Sequence, residues 1–349
     1  MNLKQLAREL GLSQTTVSRA LNGYPEVAEA TRRRVAEAAE RLNYRPNTRA
    51  RSLATGRSMA IGHVIPLSTK NEIMNPIFAD FIAGAGETYF RCGYDMVLTV
   101  VNDSDESRVY RELATKGAVD GLIVHAPRTG DPRIALLKEI GLPFVVHGRT
   151  SAGDSDYDWV DVNNRRAFQR ATEFLLDLGH RRIGLVNGLE SMDFAARRRD
   201  GYLRALRSRD VDADDALMTS DEMTESYGYR AARRMMAQPN PPTAMIGASM
   251  IIALGLRRAI EEMGLRMGRD VSIVTFDDDL AYLRNGTDIP IFTSLRASVR
   301  EMGRQSAQLV LDRIADRTLP SRQVLIEADL MVGQSTGPAP VRERAYEKG

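Results

Sequence analysis

Residues 3–42 read LKQLARELGLSQTTVSRALNGYPEVAEATRRRVAEAAERL. Leu3, Leu6, Ala7 and Leu10 recur at i, i+3, i+4 and i+7, the spacing of one face of a helix. Gly11 is placed to end that helix, because glycine tolerates the left-handed backbone of a C-terminal cap. Ser13 is placed to cap the next one, whose inward stripe is Val17, Ala20 and Leu21. Its opposite stripe is Thr15, Ser18, Arg19 and Asn22, again at helical spacing. A third helix is predicted over about residues 28–42, with Val35, Ala38, Ala39 and Leu42 inward. Three short helices around a tight glycine turn predict a helix-turn-helix unit.

The polar stripe suggests a partner. Its side chains are short, with one arginine, so the face enters a major groove without steric conflict, and arginine pairs bidentately with guanine. A three-helix protein-docking domain shares the periodicity, but its outer face should be more apolar. Charge points the same way. Residues 1–58 carry 11 Lys and Arg against 5 Asp and Glu, a balance of +6, whereas the remainder carries 37 against 41, a balance of −4. A basic head on a slightly acidic body implies a polyanion partner for the head alone.

The head resembles the LacI/GalR family of bacterial transcription regulators. The resemblance rests on LARELGLSQTTVSRALNG (residues 6–23), VAEATRRRVAEAAERLNYRPN (27–47) and ARSLATGRS (50–58), ordered and correctly spaced. It implies that Gln14 and Thr15 open the recognition helix and read base edges, and that Arg19 reads a guanine. It implies that Thr16, Ser18, Asn22 and Thr31 hold phosphates, which set register without reading sequence. Tyr44 and Asn47 fall where the family contacts the DNA backbone near the hinge. NTRARSLA (47–54) resembles the family's hinge helix, too short to be stable alone in water. Leu53 matches the family's minor-groove wedge, which kinks the duplex. The implied domains are a helix-turn-helix head over 1–46, a hinge and linker over 47–58, and an effector-binding and dimerisation domain over 59–349.

After residue 58 the pattern changes. Short apolar runs, MAIGHVIP (59–66), YDMVLTVV (94–101), DGLIVHA (120–126), PFVVHG (143–148), RRIGLVNG (181–188), AMIGAS (244–249) and VSIVTFD (271–277), alternate with amphipathic helices. That alternation predicts parallel α/β units, enough for two sheets. The resemblance implies a two-lobed sensor like periplasmic binding proteins, built from two Rossmann-like parallel sheets. It puts the chain crossings near 161–163, 289–293 and 320, with the first lobe at about 59–162 plus 291–320.

In open α/β sheets ligands bind beyond the carboxyl ends of strands. The candidates by position are Asn75 and Phe78 in the first loop and helix, His125, His147 and Arg149, then Asn187, Ser249 and Asp277. Arg198, in FAARRRDGY, and Asp277, in TFDD, match effector-binding positions of the family. Many family members carry Asn-Asp after the MIGA strand, and here Ser249-Met250 stand there, so ligand identity does not carry over. Hydrogen-bonding side chains of this kind suit a polyhydroxylated effector, a sugar or glycoside such as an α-glucoside. Phe78 or Trp159 is placed to stack on a sugar face, and Trp159 fits equally as a core residue at the crossover. A purine or phosphorylated metabolite is the competing effector, and a sugar-binding protein without DNA function the competing class.

No nucleophile elbow, Walker A or zinc-protease motif occurs, and four histidines lie scattered without metal spacing, so no enzyme, cofactor or metal is expected. Cys92 is the single cysteine, expected as a small core filler and incapable of an internal disulfide. The opening MNLKQLAREL has no uncharged apolar core, and no apolar run approaches the ~18 residues of a membrane span, so a cytoplasmic chain is expected. The tail STGPAPVRERAYEKG lacks a leucine heptad, so a homodimer on pseudo-palindromic operator DNA is expected in place of a tetramer.

Overall fold

The computed structural model describes residues 2–21, 24–42, 44, 56–66, 76–152, 156–276 and 280–340. Asn22, Asn47, Leu53, Asn75, Asp277 and the hinge segment lie outside the described residues. The chain divides into an N-terminal unit ending at Met59 and a larger one beginning at Ala60.

The N-terminal unit holds α1 (Leu3–Leu10), α2 (Gln14–Leu21) and α3 (Glu29–Arg41). Asn2 and Gln5 close a reciprocal capping box over α1, and Gly11 ends it at φ 65°. Ser13 Oγ accepts from the Thr16 amide at 3.0 Å, which caps α2. Leu6, Val17 and Val35, one from each helix, are fully buried and form the centre of a small core.

The larger unit contains two six-stranded sheets. In chain order its elements are β1 (Ala60–Pro66), α4 (Pro76–Cys92), β2 (Asp95–Val101), α5 (Glu106–Thr115), β3 (Gly121–His125), α6 (Pro132–Ile140), β4 (Phe144–His147) and β5 (Asp158–Val162). There follow α7 (Asn164–Asp177), β6 (Ile183–Asn187), α8 (Asp193–Arg207), β7 (Met218–Ser220), α9 (Glu225–Met236), β8 (Ala244–Gly247) and α10 (Met250–Glu262). The chain closes with β9 (Ser272–Phe276), β10 (Thr293–Arg296), α11 (Val299–Ala315), β11 (Gln323–Ile326) and β12 (Asp329–Met331). The first sheet runs β11-β5-β4-β3-β1-β2 with every pair parallel. The second runs β12-β10-β9-β8-β6-β7 and is parallel except for β12, antiparallel to β10. The inner strands β3, β6, β8 and β9 are buried at every residue, as strands covered by helices on both faces must be.

Two crossings fall later in the chain than the sequence reading put them. Thr293–Leu295 pair with β9 and Arg296 with β12, so they belong to the second sheet and the chain crosses after Arg296. Gln323–Ile326 pair with β5, so the chain returns to the second sheet only between Ile326 and Asp329. Backbone pairing decides these ends, and runs as short as TSLR and QVLI carry little apolar signal for it. Cys92 is a second correction: Tyr89, 1% exposed, fills the inward position of the last turn of α4, and the cysteine lies exposed at its end.

Helices α4 and α11 approach until a Cβ on Gly84 would stand 2.0 Å from the Arg300 carbonyl oxygen, and one on Gly303 2.2 Å from that of Phe81. No helix among the described residues is long and apolar enough to cross a membrane.

Candidate effector cleft and DNA-reading face

A cavity of about 480 Å³ opens beyond the carboxyl ends of β4, β5, β6 and β9. The first lobe contributes His147 at the end of β4, Gly148 and Arg149 after it, and Asp161 and Val162 of β5, with Asn164 following at the crossover. The second contributes Leu189, Met192, Phe194 and Arg198, the loop Asp221–Glu225, and Ile251, Leu254 and Phe276.

One hydrogen-bonded chain runs along this wall. Arg149 Nε donates to Asp161 Oδ2 at 2.9 Å. Asp161 Oδ1 accepts from Asn164 Nδ2 at 3.2 Å, and Asn164 Oδ1 accepts from Arg198 Nε at 2.8 Å. Arg198 Nη1 donates to the Ala248 carbonyl at 2.8 Å. The guanidinium of Arg198 is 4.2 Å from the ring centre of Phe276, with Phe194 and Phe168 at 4.8 and 5.1 Å. Three aromatic faces and two oxygen acceptors hold this buried cation in place. Burial pushes the Asp161 carboxyl up to about 6, against the pull of Arg149 and Arg197. Arg149 is steadied from behind by Trp159, whose ring centre is 5.0 Å from its guanidinium carbon.

Among the described residues, hydrogen bonds also tie the lobes together at Asp193 and at Asp80. Asp193, fully buried at the start of α8, accepts from the Ser151 amide at 2.6 Å and pairs with Arg197. Its own amide donates to the Pro127 carbonyl at 3.0 Å. Elsewhere the Ala281 amide donates to Asp80 Oδ2, in α4, at 2.7 Å.

Of the expected effector residues, the structure gathers His147, Arg149 and Arg198 on the cavity. His125 stands one ring behind His147, 3.4 Å away between Nδ1 atoms, and borders a smaller pocket. Phe78 is buried edge-on against His125, with ring centres 5.1 Å apart, and stays out of the lining. Ser249 is fully buried, and its Oγ accepts from the Ile252 amide at 3.3 Å as the cap of α10. Asn187 is fully buried inside its lobe and stays out of the lining, its Nδ2 donating to the Ala195 carbonyl at 2.9 Å. Trp159 supports Arg149 from outside the lining. Asp161, Asn164, Met192 and Phe194 were missed. The strand-end rule, applied to the charged run DWVDVNN at 158–164, would have found the first two.

In the N-terminal unit, Gln14, Thr15 and Arg19 are exposed on α2 while Val17 and Ala20 face the core. Thr16, Ser18, Thr31 and Tyr44 are half-buried, and Thr16 Oγ1 lies 2.8 Å from Ser13 Oγ. Thr15 and Arg19 thus belong to the polar stripe that the helical spacing placed opposite the core, whereas Ser18 is half-buried and Asn22 lies outside the described residues.

Residues 2–47 match the bacterial regulatory proteins of the lacI family, and residues 172–336 match the periplasmic binding protein-like domain. The HTH-type transcriptional regulator AglR of Rhizobium meliloti (strain 1021) is 44% identical over 343 residues, covering 98% of this chain and 96% of that protein. The chain belongs to the lacI family. It is a helix-turn-helix transcription regulator with a periplasmic-binding-protein-like sensor. Among lacI-family relatives, the Escherichia coli regulator RafR is 35% identical over 280 residues, 79% of this chain and 82% of its own. A CelR–cellobiose complex superposes with TM-score 0.71 at 28% identity, covering 96% of this chain and 99% of the other. The Lac repressor bound to ONPG in its repressed state superposes with TM-score 0.77 at 25% identity, covering 96% and 99%.

Proposed function

We propose that this regulator is a homodimeric, cytoplasmic repressor whose operator affinity is set by a sugar or glycoside, of the α-glucoside type, held in the cleft between the lobes. The observation that carries this reading is the Arg149–Asp161–Asn164–Arg198 chain along the cavity wall. It presents alternating donors and acceptors, while Phe194, Leu254, Met192 and Ile251 supply apolar surface nearby. Adjacent hydroxyls of a sugar need paired donors and acceptors, and its C–H faces need apolar cover. The volume lies within the ~300–1,000 Å³ usual for small-molecule sites. The cellobiose of the CelR complex and the ONPG of the Lac repressor complex are the ligands of similar proteins.

In this reading His147, Arg149, Asp161, Asn164 and Arg198 bind the effector directly. The residues expected at 75 and 277 remain candidates from the resemblance. The head (1–46), hinge (47–58) and sensor (59–349) act in series. Gln14, Thr15 and Arg19 read base edges, and Thr16, Ser18, Asn22, Thr31, Tyr44 and Asn47 hold the backbone. Leu53 wedges the minor groove. An effector acts by binding one arrangement of the lobes better than another, which alters how two heads present themselves to DNA.

Thermal unfolding of the full chain with maltose, sucrose, trehalose and cellobiose, and with hypoxanthine and guanine, tests the reading. A ligand at 100 times its Kd adds about 2.7 kcal/mol of stability. Stabilisation by a disaccharide that also changes operator affinity supports it, and stabilisation by a purine alone overturns the sugar assignment.

A further inference from the structure

His147 borders the cavity and carries a row of buried rings behind it. Its Nδ1 is 3.4 Å from Nδ1 of His125, whose Nε2 is 2.9 Å from Nδ1 of His63. His63 Nε2 is in turn 3.2 Å from the hydroxyl of Tyr89. The four side chains come from β4, β3, β1 and α4 and form one unbranched row from the cleft into the lobe. Phe81 stacks on His147 at 4.1 Å between ring centres and meets His125 edge-on at 5.0 Å, so the ring planes are held.

Burial keeps all three imidazoles neutral near pH 7, His63 lowered to about 3, His147 to about 4 and His125 well below its usual value. A neutral imidazole has one N–H and one lone-pair nitrogen, so each contact needs a donor facing an acceptor and the whole row shares one polarity. In one polarity Tyr89 donates to His63 Nε2, His63 Nδ1–H to His125 Nε2, and His125 Nδ1–H to His147 Nδ1. The proton of His147 then sits on Nε2. In the other polarity His63 Nε2–H donates to Tyr89, and the phenolic proton needs a separate acceptor. Tyr89 is 1% exposed, and among the described residues the only group that its hydroxyl meets is His63. Leaving a buried hydroxyl proton without an acceptor is disfavoured by roughly tenfold or more.

We propose that Tyr89, acting through His63 and His125 as a positioning residue, fixes His147 as the Nε2–H tautomer, so that the cleft offers a hydrogen-bond donor there and selects effectors with an acceptor oxygen at that point. The selection rests on the cleft being the effector site, whereas the tautomer is read without any effector.

The full chain has four histidines, which makes ring nitrogens tractable by long-range proton–nitrogen correlation after labelling histidine with nitrogen-15. His147 is assigned by the signal lost in His147→Gln. The expected wild-type pattern is a protonated Nε2 and a lone-pair Nδ1, and Tyr89→Phe converts it to a mixture of tautomers. A protonated Nδ1 in the wild type overturns the proposal, as does an unchanged pattern in Tyr89→Phe. If that variant does not fold, His125→Phe cuts the row at its middle and must release His147 in the same way. A disaccharide that stabilises the wild type is expected to bind Tyr89→Phe about fivefold more weakly, and equal affinity overturns the selection. Failure of every sugar with the wild-type tautomer as expected would overturn the sugar reading and leave this one standing.

Discussion

Arg198 Nε donates to Asn164 Oδ1 across 2.8 Å, a bond between α8 of the second lobe and the first residue of α7 at the crossover from β5. This contact joins the polar groups of the cavity wall into one hydrogen-bonded chain. Arg198→Lys keeps the charge but loses the planar fork that reaches Asn164 and the Ala248 carbonyl together. The variant is expected to lose tenfold or more in effector affinity by calorimetry, with operator binding in the absence of effector retained. Unchanged effector affinity would remove Arg198 from the site.

Asp161 gives the site a pH dependence. Its carboxyl is raised to about 6 by burial, so folding favours its neutral form. Its contribution to stability is therefore fully present below about pH 4 and lost as pH rises through about 6, by up to about 3 kcal/mol at ~1.4 kcal/mol per unit. Asp161→Asn should abolish that component, so the wild type loses stability relative to the variant between pH 4 and 6, measured by thermal unfolding. Over the same range the ionised carboxylate becomes the better acceptor for sugar hydroxyls, and effector affinity of the wild type is expected to rise.

His63, fully buried, and His147, half-buried at the cavity, act with the opposite sign. His63 and His147 are lowered to about 3 and 4, so their contribution is present above pH 6.5 and is lost as pH falls towards those values. Denaturant titrations between pH 7 and 4.5 are expected to show stability falling by more than one kcal/mol, with a shallower fall in His63→Gln. An equal slope in the two proteins would show that His63 becomes protonated without penalty.

Gly303→Ala tests the contact of α4 with α11. The added Cβ would meet the Phe81 carbonyl oxygen at 2.2 Å, which forces a backbone shift. A loss of about 1–3 kcal/mol is expected from chemical denaturation. Because Phe81 stacks on His147, effector affinity should fall as well.

Arg19→Ala tests the DNA-reading face. Arg19 is exposed, so the melting temperature should not change. Discrimination between operator and mismatched sites should drop by about 1–3 kcal/mol per half-site in gel-shift or anisotropy titrations. Equal discrimination would sink the groove assignment.

The head was legible because the helical period of Leu6, Val17 and Val35 and the caps Ser13 and Gly11 agree at every level. The sheets were legible where strands are continuous apolar runs, and His147 and Arg149 followed from the strand-end rule. Asp161 and Asn164 did not, because β5 reads DWVDV and its charges mask a strand buried at every residue. Ser249 shows the converse limit: a polar residue at a strand end also serves as a helix cap, and only the hydrogen bond to Ile252 decides which. Nothing in periodicity reveals that His63, 62 residues from His125, shares a hydrogen bond with it.

The chain passes from one sheet to the other after β5, after β10 and after β11; β5 lies beside β11 in the first sheet, and β10 lies beside β12, which receives the last crossing, in the second. Three connections set side by side behave like the knuckles of a single door hinge. A molecule that fills the gap therefore touches two leaves joined along one edge. Asp161 and Asn164 stand on the first of these connections, so that joint and the wall of the cleft are built from the same residues.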